Sequence, residues 1–158
     1  MPSQFRFVAA CLIGLVGCAS VAGAQDPTIN YRGGDREMNA AIAEARRTRA
    51  DFLKALATRS ADAFFVKAPI PYGRDGAREH VWMGDVRAEG ADFVGEIANE
   101  PVNLTNLHKG STWRLNQAEI SDWYFVRNGL LHGAYTLRVM LKRMPPADAE
   151  RLRKQLAP

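Results

Sequence analysis

Trp123-Tyr124-Phe125-Val126-Arg127-Asn128-Gly129-Leu130-Leu131-His132-Gly133-Ala134-Tyr135 decides the fold class, because two runs of strand-forming side chains flank an Asn-Gly pair. A type I′ turn needs positive φ at both central residues, and Asn-Gly supplies it at low steric cost, so residues 123–135 read as a β-hairpin. Upstream, residues 77–86 alternate, residues 89–92 can turn the chain, and residues 93–98 return as a partner strand. Residues 64–68 read as a strand stopped by Pro69 and Pro71, and residues 111–115 as another. On the strand at 77–86, His80, Trp82, Gly84 and Val86 share one face, and Glu79, Val81, Met83 and Asp85 the other.

Ahead of these strands, apolar side chains recur at Met38, Ile42, Ala45, Phe52 and Leu56 behind a capping Asp35, the pattern of one amphipathic helix ending near 58–62. Behind them, Pro145-Pro146 breaks the chain and Pro146 suits the first turn of a terminal helix reaching Leu156. Residues 134–144 fit a strand and a helical stripe equally well. The expected fold is α+β: a mostly antiparallel sheet of five or six strands, with an amphipathic helix before it and a short helix after it.

Residues 1–24 carry Arg6 as their only charge, an apolar run over 7–17, and Ala22-Gly23-Ala24 ahead of Gln25, the features of an export signal. Gly14, Gly17, Ser20 and Gly23 dilute the run below what a membrane-spanning helix needs, roughly 20 apolar residues. Leu15-Val16-Gly17-Cys18 also fits a bacterial lipobox, which would leave Cys18 acylated and the protein tethered to a bilayer. Release after Ala24 would make the protein periplasmic; the lipobox would anchor it in the bacterial envelope.

Residues 25–36 read as a flexible lead-in, and 37–158 as a single domain. Both cysteines, Cys11 and Cys18, lie in the leader, so disulfides and thiolate chemistry drop out of the released domain. The chain's net charge of +4 falls to +3 without Arg6. That is mild, and the basic groups at Arg46, Arg47 and Arg49 and at Arg143, Arg151, Arg153 and Lys154 read as solvated faces. Export argues against nucleic acid as a partner.

Side chains with chemistry concentrate over 79–123. The binding candidates are Glu79, His80, Trp82, Asp85, Asn99, Glu100, Asp122, Trp123 and Arg138, expected to gather in one polar and aromatic recess. His80 titrates near neutrality without help, so with Glu100 or Asp122 it could serve as the base of a small hydrolase or transferase. The structural reading makes His80 a cross-strand hydrogen-bonding group beside Trp82, Asn99-Glu100-Pro101 a strand terminator, and Trp82, Trp113 and Trp123 core. Glu96, mid-strand, calls for a cationic partner such as Arg87, Arg114 or Arg138 if it is buried. His80, His108 and His132 are too widely spaced for a metal-ligand pattern, and no nucleotide or phosphate fingerprint implies a cofactor.

Phe65-Val66-Lys67-Ala68-Pro69, Glu79-His80-Val81-Trp82, Gly95-Glu96-Ile97-Ala98-Asn99-Glu100-Pro101, Ile120-Ser121-Asp122-Trp123 and Gly133-Ala134-Tyr135-Thr136-Leu137-Arg138 follow one another in an order that resembles the YegJ-like domain-of-unknown-function family, number 2314. The likeness covers about residues 62–145. It implies a small α+β domain of exported proteins and transfers no catalytic residue. The preferred expectation is a non-catalytic envelope domain recognising a protein or cell-wall polymer; the alternative is the small enzyme built on His80.

Overall fold

The computed structural model describes residues 4–8, 28–32, 35–74 and 76–158. Strands β1 (Gln4–Val8) and β2 (Thr28–Arg32) precede helices α1 (Arg36–Arg47) and α2 (Arg49–Ala57). Then come β3 (Ala63–Tyr72), β4 (Ala77–Glu89), β5 (Asp92–Ile97), β6 (Thr112–Asn116), β7 (Asp122–Arg127) and β8 (Leu130–Gly133). Helix α3 (Tyr135–Met140), a 3-10 turn (Leu141–Arg143) and α4 (Pro146–Arg153) close the chain.

Strands β3 to β8 pair antiparallel in the order β6-β5-β4-β3-β7-β8, the expected α+β sheet of six strands. Beside β5, the free part of the β4 edge is covered by β1, which runs parallel to β4 and antiparallel to β2. The stretch expected as a flexible lead-in, 25–36, thus includes β2 and the first residue of α1. The lipobox at 15–18 and the cleavage site at 22–24 lie outside the described residues.

The hairpin forms as its sequence dictates, with φ of 53° at Asn128 and 73° at Gly129. It ends earlier than expected, at Gly133, where φ is 92°. A Cβ there would stand 2.6 Å from the Trp123 ring and from its carbonyl oxygen. Gly133→Ala is therefore expected to lose at least about 2 kcal/mol, from strain plus overpacking, read as a fall in the urea midpoint at unchanged slope. Residues 135–143 resolve as helical.

Three local readings are corrected. Strand β3 does not stop at Pro69; it runs to Tyr72. Its pairing with β7 ends at Lys67, whose carbonyl accepts from Ser121 N at 2.9 Å, so Pro69 and Pro71, in the same alternation, turn their nitrogens to an edge where no N–H is needed. The single helix over 35–58 is two, interrupted at Thr48, whose amide and hydroxyl both donate to the Glu44 carbonyl. Between Gly84 and Arg87, β4 carries a bulge, with Asp85 at φ 47°, and this moves Val86 from the face of His80 and Trp82 to the core of Val81 and Met83.

Helices α1 and α2 cover the first face of the sheet. Phe52 of α2 is fully buried there, edge-to-face with Phe64 at 5.8 Å and Phe93 at 5.6 Å and tilted on Trp123 at 5.7 Å. Trp123 Nε1 donates to the Ala45 carbonyl at 2.8 Å, tying β7 to α1. On the second face Trp82, Tyr124 and Ala134 pack with Phe65, Leu131, Leu137 and Leu156. The outer edge of β8 is closed by the C-terminal tail: Leu131 N donates to the Gln155 carbonyl and Ala157 N to the Leu131 carbonyl.

Candidate functional site

The second face holds the most unusual chemistry. Lys67 is only 1% exposed and Asp122 is fully buried, and the two are cross-strand partners on β3 and β7. Thr136 joins them: Lys67 Nζ donates to Thr136 Oγ1 at 2.8 Å, and that hydroxyl donates to Asp122 Oδ2 at 2.5 Å. Asp122 also accepts from the amides of Trp123 and Tyr135 through Oδ1 and of Thr136 through Oδ2, at 2.8–3.1 Å. The residue at the N-cap of α3 is Ala134, with no side-chain oxygen to offer, and Asp122 satisfies the helix amides in its place. The Lys67 ammonium lies 4.5 Å from the centroid of the Trp82 ring. Burial pushes the lysine down to about 8 against the attraction of Asp122, and burial pushes Asp122 up.

His80 sits beside this network, with Nδ1 2.8 Å from Ser121 Oγ. The Ser121 hydroxyl donates to the Lys67 carbonyl at 3.2 Å, which assigns the proton of the His80–Ser121 bond to Nδ1. Burial, reinforced by the charges of Lys67, Arg78 and Arg46, lowers His80 to about 3. An imidazole so tuned is a poor proton acceptor at neutral pH.

The remaining candidates lie elsewhere. The fully buried Glu79 accepts from Val102 N at 2.6 Å and Asn103 N at 2.7 Å, pinning the loop after β5. Asn99 Oδ1 accepts from Trp82 N at 2.8 Å, and Ala98 N donates to the Trp82 carbonyl at 2.7 Å, extending the β4–β5 pairing. Glu100, exposed, accepts from Lys109 N at 3.1 Å and pairs with His108 Nδ1 at 3.1 Å; the Lys109 amide, then His108, lower its pKa. Arg138 clips the C-terminus by donating to the carbonyls of Gly133 and Ala157. Asp85 is exposed at the bulge, and Glu96 faces water rather than an arginine, since Arg87 and Arg114 pair with Glu89 and Asp92.

The nine candidates therefore do not converge on one recess. His80, Trp82 and Asp122 share the second face; Trp123 lies in the first-face core; Glu79, Asn99 and Glu100 organise a loop; Asp85 and Arg138 stand apart. Among the described residues no hydrogen bond joins His80 to either carboxylate. Grooves of about 270 Å³, beside Asp51, Lys54, Ser60 and Arg127, and about 230 Å³, beside Arg59, Asp62, Asp85 and Arg87, contain neither His80, Glu100 nor Asp122. No cluster of three His, Cys, Asp or Glu suited to a metal exists among the described residues, and no helix there is long and apolar enough to cross a membrane. Sequence reasoning missed Lys67, Ser121 and Thr136. Only Lys67 carried a signal, a cation inside Phe64-Phe65-Val66-Lys67-Ala68, which demands a buried partner.

Fold and interior together define an α+β domain in which the buried ionisable groups hold strands, a helix start and a loop in place. The chain belongs to the DUF2314 family of uncharacterised proteins conserved in bacteria, whose model matches residues 35–157. It is 36% identical over 119 residues to the uncharacterised protein YegJ of Escherichia coli K12, covering 75% of this chain and 76% of that one. It is also 34% identical over 84 residues to a putative ankyrin repeat protein of Neisseria meningitidis serogroup B, covering 51% of this chain and 33% of the relative. No solved structure matches significantly.

Proposed function

We propose that the chain is an exported envelope protein whose domain is a non-catalytic binding or accessory module for a protein or cell-wall partner. The reading is carried by the loop between β5 and β6. Asn99, Glu79 and Glu100 pin it at three points through backbone amides, yet it presents Val102 at 56% exposure, the one exposed large hydrophobic side chain among the described residues of 35–158. A loop held rigid before contact loses little entropy on docking. The same loop carries exposed polar groups as well, Glu100 with its partners His108 and Lys109.

The test places a photo-crosslinking side chain at Val102 and, as a control, at Lys154, in cells carrying the full-length gene. A specific adduct at 102, rebuilt from purified components and weakened at least about tenfold by Val102→Asp, is the expected result; co-sedimentation with isolated peptidoglycan that responds to Val102→Asp identifies a cell-wall partner instead. Equal labelling at 102 and 154, or binding indifferent to Val102→Asp, removes the loop as the recognition surface. Mass analysis of the native N-terminus reads Gln25 or an acylated Cys18, and a retained Met1 removes export.

A further inference from the structure

Strand β1, which covers the free part of the β4 edge, belongs to a segment that the sequence marks for removal. Trp82 N donates to Asn99 and the Trp82 carbonyl accepts from Ala98, so the amide and carbonyl of Trp82 point away from β3. Strand alternation gives Arg78 and His80 the same outward direction. These two residues lie where β1 pairs, with Phe5 opposite Arg78 and Phe7 opposite His80. If processing removes residues 1–24, β4 loses that cover, and an open edge is a template for aggregation.

The register of the second pairing supplies a replacement. Phe7 stands opposite both His80 and Ile29, and Phe5 opposite both Arg78 and Tyr31. A shift of β2 by one strand spacing, about 4.8 Å, therefore sets Ile29 against His80 and Tyr31 against Arg78. The direction is already right, because β2 is antiparallel to β1 and β1 is parallel to β4. Only three residues of sequence, Gly33-Gly34-Asp35, separate β2 from the start of α1, which keeps the strand at high effective concentration.

We propose that the leader strand guards the β4 edge before export, and that after cleavage Thr28–Arg32 moves inward and pairs directly with Arg78–His80. This rests on removal of the leader, which the mass of the native N-terminus reads separately; the exchange experiment needs only chains of defined length.

Amide hydrogen exchange is compared for the full chain and for residues 25–158, each with and without Tyr31→Pro, with the amides of Val66 and Met83 reporting that the sheet is intact. In the full chain Tyr31→Pro should leave Arg78 and His80 protected, because β1 still covers them. In residues 25–158 both amides should stay protected with Tyr31 present and exchange at least about tenfold faster with proline. Fast exchange at Arg78 and His80 in the unsubstituted 25–158 chain overturns the proposal, as does protection that survives Tyr31→Pro. Protection that rises with protein concentration also overturns it, since a second copy would then be covering the edge.

Discussion

Asp122→Ala is expected to lower the unfolding free energy by about 3–5 kcal/mol, the range for removing one partner of a buried ion pair. The carboxylate answers four donors: the amides of Trp123, Tyr135 and Thr136, and the Thr136 hydroxyl. Alanine strands the Trp123 amide on β7 and the other three donors at the start of α3, and takes the opposing charge of Asp122 away from Lys67, 1% exposed. Burial already opposes ionisation of both groups, so the pair adds little net stability; the loss comes from a buried cation deprived of Asp122 and from unmet amides. Two consequences follow for urea unfolding. Lys67→Met should be milder than Asp122→Ala, since it leaves the helix amides satisfied. The double variant should be less damaged than the sum of the singles, because the stranded charge is gone. A loss below about 1 kcal/mol for Asp122→Ala would show that water or rearrangement replaces the carboxylate, outside the range for a buried pair.

What was legible in the sequence, and what was not, divides by the distance over which the cause acts. Asn128-Gly129 determines its turn through the φ preferences of two adjacent residues, so the hairpin could be read directly. Pro69 and Pro71 could not, because whether a proline ends a strand depends on the neighbour it faces, and β7 withdraws at Asp122 for reasons far away in the chain. Asp85 adopts a left-handed conformation without a glycine to announce it, and that one residue reverses the faces of everything after it on β4. The site follows the same division. Asn99-Glu100-Pro101 was readable as a strand terminator from local chemistry. The Lys67–Thr136 bond spans 69 residues and the Ser121–Lys67 bond 54, and no local pattern encodes either. Rare polar side chains in strand-like sequence correctly marked the places under strongest constraint. They could not say whether the constraint was a ligand or the interior, and here most of them face the interior.

Mild acid should expose the role of His80 without any ligand. Its folded-state pKa is held near 3, mainly by burial and then by Lys67, Arg78 and Arg46, against an ordinary 6.5. The unfolded chain therefore takes up a proton below pH 6.5 that the folded protein refuses. Stability from this group is complete above pH 6.5 and falls as the pH drops toward 3, by about 1.4 kcal/mol per pH unit and at most about 5 kcal/mol in all. Carboxylates whose pKa values are lowered in the fold, Asp35, Glu44, Glu89 and Glu100, add their own losses only near and below their ordinary range. Between pH 6.5 and 5 the destabilising slope thus belongs chiefly to histidine, and Asp122, whose pKa burial raises, acts in the opposite sense. His132 is lowered as well, but it is far less buried and contributes less. His80→Asn places an amide nitrogen close to where Nδ1 donates to Ser121 while removing the titration. Urea midpoints measured from pH 7 to 5 should therefore fall steeply for the natural protein and much less for the variant. The variant should start lower at pH 7 for its lost ring packing, so the two curves converge in acid. Parallel curves would mean that His80 is protonated in the fold near its ordinary pKa, which requires water or an acid at the ring and would restore it as a candidate base.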